Sequence, residues 1–310
     1  MLTRRKFLQR SLIAAGVAPL THSVVGDMLE SGEAVKISIL HTNDVHSHID
    51  PFPDNHKRYP GKGGVQNRYT IIQKHRKENK NTLLFDCGDI FQGTPYFNLY
   101  DGELELKLMS KMGYDGATMG NHDFDNGMDG FLAVKKHANF PFICSNYDFS
   151  DTILHNQTLP FKIFKKEGVK IGVFGLGIEL DGLVDKKLFG KTVYKNPVKV
   201  ANEYATLLRH EHGCDLVICL SHLGYNYDSE KVSDVQLAKR TSGIDLILGG
   251  HTHTFMERAE ITSNSKGKEV LINQVGWAGI HLGKVDFYFS LLSKKRLNLI
   301  ETNKGFIEIK

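Results

Sequence analysis

Cysteine, proline and tryptophan are scarce in this chain of 310 residues, at four, eight and one. Eight prolines against thirty glycines exclude a proline-rich linker protein and imply many tight turns. No Cys-x-x-Cys pair occurs, which removes the common zinc and redox spacings. Cys214 and Cys219 stand at either end of one predicted strand, about 16 Å apart and beyond disulfide reach. With Cys87 and Cys144 they are expected to be buried free thiols. No stretch approaches eighteen uninterrupted apolar residues, so a conventional membrane-spanning helix is excluded. A fixed-period repeat is also missing, which removes solenoids and propellers. What remains is 41% apolar and 24% charged, ordinary for a globular enzyme and too apolar for disorder.

Acidic residues are absent from positions 1–26, where Arg4, Arg5, Lys6 and Arg10 lie. Those four account for the whole net charge of +4, leaving 35 basic and 35 acidic side chains elsewhere. The rest of the chain has no basic track for a phosphate backbone, and a nucleic-acid polymer is not an expected partner. Thr3-Arg4-Arg5-Lys6-Phe7-Leu8-Gln9 precedes a mildly apolar run, Ser11 to Leu20. A positive head before a short apolar stretch reads as a targeting segment. The paired arginines with Phe7-Leu8 resemble the twin-arginine export signal. That resemblance implies a signal segment over 1–30, passage through the twin-arginine machinery after folding, and a periplasmic or extracellular location. Residues 31–310 then form one domain.

Short apolar runs alternate with helical patterns. Val35–Leu40, Leu83–Phe85, Ala117–Met119, Phe142–Cys144, Val169–Leu176, Leu216–Leu220 and Leu246–Leu248 read as strands. Asn196 and Pro197 open a helix carrying Ala201, Tyr204, Ala205 and Leu208 on one face, with Gly213 at its stop. Leu104, Leu108 and Met112 form another, ending at Gly113, and Gly63-Gly64 precede a third. From 255 onward the pattern turns to strands at Val270–Val275, Gly283–Ser290 and Phe306–Ile309.

Five polar clusters each follow an apolar run: His41-Thr42-Asn43-Asp44-Val45-His46, Asp86-Cys87-Gly88-Asp89, Gly120-Asn121-His122-Asp123-Phe124-Asp125, Ser221-His222, and Gly249-Gly250-His251-Thr252-His253. In open α/β sheets ligands bind beyond the carboxyl ends of strands, so clusters placed there converge. Asp44 and His46 are two apart, as are His251 and His253, and in extended backbone each pair points to one side. With Asp89, Asn121 and His222 they make seven N/O donors and no thiolate, a set suited to two divalent cations. Two such ions can clamp the attacking and leaving oxygens of an in-line displacement at phosphorus.

The ordered set resembles the calcineurin-like metallophosphoesterases. The phrases Gly88-Asp89-Ile90-Phe91-Gln92-Gly93-Thr94, Leu220-Ser221-His222-Leu223-Gly224 and Gly249-Gly250-His251-Thr252-His253 are similar to the 5′-nucleotidase and UDP-sugar hydrolase branch. The resemblance covers residues 35 to roughly 290 and implies a four-layer α/β/β/α sandwich, two packed mixed sheets flanked by helices. By position it implies that Asp44, His46, Asp89 and His253 hold one metal. Asp89, Asn121, His222 and His251 hold the other, with Asp89 shared. His122 matches the catalytic histidine, paired with Asp125. Metal-held hydroxide attacks phosphorus, and His122 stabilises the phosphoryl charge or protonates the leaving group. Mixed N/O ligation suits manganese, zinc, iron or cobalt.

His41, Asp86 and Asp123 are candidates for orienting ligands or for turn chemistry. His48 reads as a loop residue, and Tyr225 and Tyr227 as loop caps or substrate contacts. The resembled 5′-nucleotidases carry a C-terminal domain that completes the substrate pocket, whereas this sequence stops at Lys310. A separately encoded domain, or the loops Ile49–Lys62, Ile178–Asn196 and Tyr225–Ser233, would then supply it. The favoured activity is phosphomonoester hydrolysis, most of all of nucleotides. Alternatives are a phosphodiesterase or nucleotide-sugar hydrolase, a thiosulfate-ester hydrolase, and a subunit of a split 5′-nucleotidase.

Overall fold

The computed structural model describes residues 22–293, 296–297 and 305–310, so the paired Arg4 and Arg5 lie outside the described residues. In the first sheet β1 (Ala34–Thr42) runs parallel to β2 (Thr82–Asp86), which is parallel to β3 (Gly116–Ala117). On the other side of β1 lies the antiparallel β12 (His281–Ser290), which carries β13 (Arg296–Leu297) and β14 (Phe306–Glu308). The second sheet has a parallel centre of β11 (Glu269–Asn273), β9 (Leu246–Leu248), β8 (Leu216–Ser221) and β6 (Val169–Leu176). Antiparallel β10 (Glu260–Ser263) and β5 (Phe161–Lys166) close its two edges. A small ladder pairs β4 (Tyr147–Asp148) with β7 (Val193–Tyr194).

Alternation within the strands builds the layers. Val35, Ile37 and Ile39 face the second sheet and meet Val173, Ile218 and Leu246 in one buried cluster. Lys36 and Ser38 point the other way, toward Asp286. Leu40 and Leu84 pack outward against Ile72, Leu106 and Met109 of the helices Val65–Glu78 and Glu103–Met112. Across the molecule, Phe174, Val217 and Ile247 pack against Ala201, Ala205 and Leu237 of the helices Pro197–Thr206 and Asp234–Arg240. The expected four layers, α/β/β/α, result. Each fully buried aliphatic side chain in the central seam contributes about 1.5–3 kcal/mol of burial.

Several local expectations hold. The Asn196 side chain caps its helix by accepting Lys199 N–H at 3.0 Å, with Pro197 as first helical residue. Gly113 ends the helix Glu103–Met112 in the left-handed region. All four cysteines are buried and free. From 255 onward the described residues form strands and no helix.

Others need correction. The strand expected over Ala117–Met119 is Gly116–Ala117. Phe142–Cys144 forms no strand, only single bridges to Ala117 and Leu159. Its neighbour Ser145 donates to Gly175 O of the other sheet, so this segment divides its hydrogen bonds between the two sheets instead of extending one ladder. The edge strand Phe161–Lys166 escaped the apolar pattern because lysine recurs along it, a common guard on sheet edges. Apart from these corrections, the helix His22–Glu30 packs Val25 and Met28 against Ala34, Tyr288 and Leu297, which leaves the reading of 1–30 as a signal segment an expectation.

Candidate metal centre

Four strands, β1, β2, β8 and β9, deliver the polar clusters directly from their carboxyl ends, and the fifth cluster follows β3 by two residues. The backbone there is not extended. Asp44, His46, Asp89, His251 and His253 all have positive φ, between 49° and 71°. Extended backbone therefore does not align the residues two apart, and left-handed turns aim these side chains instead. Each such non-glycine residue costs about 1–3 kcal/mol and persists only where its surroundings over-determine it.

The surroundings do so by hydrogen bonds between turns. Asp44 N–H donates to Gly88 O, His46 N–H to Asp89 O, and Ala278 N–H to Asp44 O. His251 N–H lies 2.9 and 3.0 Å from the two Asp44 carboxylate oxygens. Asp123 accepts from the N–H groups of Asp89, Ile90 and Gly120. Asp86 accepts from Gly88 N–H and the Thr42 hydroxyl. Burial pushes Asp86 up to about 8 and, aided by the Asp89 charge, Asp123 up to about 7.

Six side chains meet in two triads. Asp44, His46 and His253 each bring one donor atom within 4.8 Å of the others, and Asp89, His222 and His251 do the same. Asp89 lies between them: its Oδ2 is 3.1 Å from His222 Nε2 and 3.8 Å from His46 Nε2. Asn121 Oδ1 reaches the second triad, 3.0 Å from His251 Nδ1.

Ring-nitrogen geometry fits cations at both places. His222 Nδ1 faces Cys87 O at 2.7 Å and His46 Nδ1 faces Phe91 O at 3.2 Å, which in the neutral ring puts the proton on Nδ1 and leaves the Nε2 lone pair free for a cation. His46 Nε2 then points at His253 Nε2 across 3.2 Å. His222 Nε2 is buried without a partner of hydrogen-bond geometry. Burial lowers the His222 pKa, but Asp89 and Asp44 outweigh it and lift it to about 10. The pocket demands positive charge, which a divalent ion supplies.

His122 stands at the rim, its ring 5.3 Å from that of His46 and its side chain 37% exposed. Its Nδ1 lies 2.9 Å from Asp125 Oδ2 and its backbone N–H donates to Asp89 Oδ1. The Asp125 hydrogen bond, opposed by burial, raises the imidazole pKa. His41 is buried away from the triads, near Asn273, and burial lowers its pKa to about 3. The His48 Nδ1–H faces the carbonyls of Val45 and His46. Tyr227 donates to Leu223 O and Tyr225 to Glu260.

Sequence reasoning missed the next shell of contacts. Asn43 donates to Asp44 Oδ2 and Gly276 O and accepts Val275 N–H. Gln274 accepts Thr254 N–H and donates to Gly250 O. Trp277 lies parallel to His253, ring centroids 5.8 Å apart. A lone Asn, Gln or Trp in a turn carries no ligand signal of its own, although Asn43 sits inside the first polar cluster.

Residues 37–255 match the calcineurin-like phosphoesterase family. Among curated proteins, the chain is 29% identical over 305 residues to the trifunctional nucleotide phosphoesterase YfkN of Bacillus subtilis, covering 88% of this chain and 19% of that protein. It is 30% identical to a snake venom 5′-nucleotidase of Gloydius brevicauda, covering 82% of this chain and 45% of that one. Among solved structures, the 5′-nucleotidase precursor of Thermus thermophilus superposes with a TM-score of 0.79 at 27% identity, over 89% of this chain and 55% of that chain. The chain spans about half or less of the length of these curated relatives. It belongs to the calcineurin-like phosphoesterase family, with 5′-nucleotidases among its relatives.

Proposed function

We propose that the chain is an exported phosphomonoesterase acting on nucleotides through two divalent cations. Asp44, His46, Asp89 and His253 hold one cation, and Asp89, Asn121, His222 and His251 hold the other. The observation that carries this reading is the place of Asp89, with one carboxylate oxygen within 4 Å of a histidine of each triad. The nucleotide phosphoesterase and 5′-nucleotidase names of the relatives support the substrate class. The paired arginines before the apolar run support export.

Held by these residues, two divalent cations would supply charge neutralisation at the phosphoryl group and activation of water. The chain's own residues do the rest. Asp125 accepts the His122 Nδ1–H and, by raising the imidazole pKa, favours the doubly protonated ring, whose Nε2–H is left to donate. From that position His122 donates to a phosphoryl oxygen or to the departing alkoxide. Asp44, a hydrogen-bond acceptor for both His251 N–H and Asn43, is held from two sides while it binds.

The test is phosphate release from AMP by the manganese-loaded chain, alongside His122→Ala and Asp89→Asn. Release lost in His122→Ala with metal retained, and metal lost in Asp89→Asn, is the expected result. Turnover of a phosphodiester in place of AMP would overturn the substrate class. Two full metal sites in Asp89→Asn would overturn the bridging role.

A further inference from the structure

Beside the metal centre a strip of aromatic rings leads outward. Trp277 lies parallel to His253, at an interplanar angle of 5°. Phe52, at 6.0 Å, and Tyr59, at 6.5 Å, meet Trp277 edge to face. Phe255 continues the strip 6.1 Å from Tyr59 and remains 36% exposed. The rings come from two distant parts of the chain, Phe52 and Tyr59 from the loop after β1, and Phe255 and Trp277 from the turns after β9 and after β11.

The loop is firmly closed on itself. Phe52 N–H donates to Lys62 O, Gly61 N–H to Phe52 O and Val65 N–H to Ile49 O. Lys62 pairs with Glu308, and Pro51 bridges Gly63. Such a base holds the rings in place before any ligand arrives, which cuts the ordering cost of binding.

Packing alone explains rings in contact but not their polar ends. A tryptophan N–H or tyrosine O–H that serves only the core usually finds a partner. Among the described residues none hydrogen-bonds the Trp277 indole N–H or the Tyr59 hydroxyl, and neither atom is sealed from solvent. The strip therefore offers flat apolar area with two polar groups open to the outside, one ring away from a predicted metal ligand. This is the lining that recognises a planar heteroaromatic group.

We propose that this strip, centred on Trp277, Tyr59 and Phe255, receives the base of the nucleotide whose phosphate lies on the metal centre. The inference rests on the nucleotide reading above and assigns base recognition to residues of this chain. It would let the chain favour nucleotides over base-free sugar phosphates through these residues.

Trp277 is the only tryptophan in the chain, so indole fluorescence reports the strip directly and without catalysis. The full chain, manganese-loaded, would be titrated with adenosine and with ribose, and its kcat and KM measured for AMP and ribose 5-phosphate. Tyr59→Ala and Phe255→Ala are the variants, since neither residue touches a predicted ligand side chain. Expected are saturable quenching by adenosine but not ribose, and a KM for AMP raised about tenfold in each variant. The KM for ribose 5-phosphate should change less than about twofold, and kcat should hold.

AMP hydrolysis without quenching, or equal KM changes for the two esters, would overturn the strip while leaving the nucleotidase reading intact. Quenching without AMP hydrolysis would overturn the nucleotidase reading and leave a base-binding strip. Neither quenching nor AMP hydrolysis would overturn both.

Discussion

Asp123 accepts the backbone N–H of Asp89 at 3.0 Å, tying the turn after one strand to the turn after the next. The same carboxylate takes the N–H groups of Ile90 and Gly120, so one buried side chain fixes two of the five site turns. Asp123→Ala should leave those three amides without an acceptor, at about 1–3 kcal/mol each. A lowered urea midpoint and weaker metal binding together are expected. Asp123→Asn keeps an acceptor oxygen and should lose less of both. An unchanged metal affinity in the alanine variant would reduce Asp123 to a stability residue.

His122 and Asp125 form a pair that touches the site from its open side. His122→Ala should lower kcat by about 10²–10⁴-fold while metal content stays full, because the ring ligates neither triad. Asp125→Asn retains a hydrogen-bond partner but loses the charge, and a smaller loss in kcat is expected. Metal analysis and turnover on one preparation check both.

Much of this site is legible in the sequence because its chemistry is restrictive. Few residue types bind divalent ions, and Asp44, His46, Asp89, His222, His251 and His253 all follow apolar runs. The means by which they converge is not legible. Nothing in the residue types shows that Asp44, His46, Asp89, His251 and His253 adopt left-handed backbone, since that depends on contacts such as Ala278 N–H to Asp44 O. The central strands read clearly because both faces are buried, whereas Phe161–Lys166 is only half-buried and carries repeated lysine. Phe52, Tyr59, Phe255 and Trp277 form one surface only after two segments nearly two hundred residues apart are brought together.

Asp286 sits between Lys36, at 2.8 Å, and Lys284, at 3.0 Å, and accepts the Ser38 hydroxyl. Burial raises its pKa, but the hydrogen bonds and the two ammonium groups outweigh it and hold the carboxyl below its ordinary 3.8. A depressed folded-state pKa adds stability above the unfolded value, and that increment is lost as pH falls through the folded one. Asp286→Asn should therefore destabilise the chain at pH 6 and cost progressively less below about pH 4. Urea unfolding of both chains at each pH checks this, and a difference that stays constant with pH would contradict it.

Two glycines distinguish backbone freedom from space. Gly168 turns the hairpin between β5 and β6 with φ of 82° and nothing within 4 Å of where a Cβ would lie. Gly168→Ala should cost about 1–2 kcal/mol of left-handed strain and leave turnover alone. A Cβ on Gly120 would instead overlap the Asp89 carboxylate, the Asp89 amide and the His222 ring. None of these can retreat cheaply: Asp89 N–H is bound by Asp123, its Oδ1 accepts His122 N–H, and His222 is fixed by Cys87 O. The added methyl must push the Asp89 carboxylate from its place between the two triads. Gly120→Ala should thus lose metal and turnover out of proportion to its loss of stability, and Gly168→Ala the reverse. Thermal unfolding, metal content and phosphate release, measured on both variants, separate the two effects.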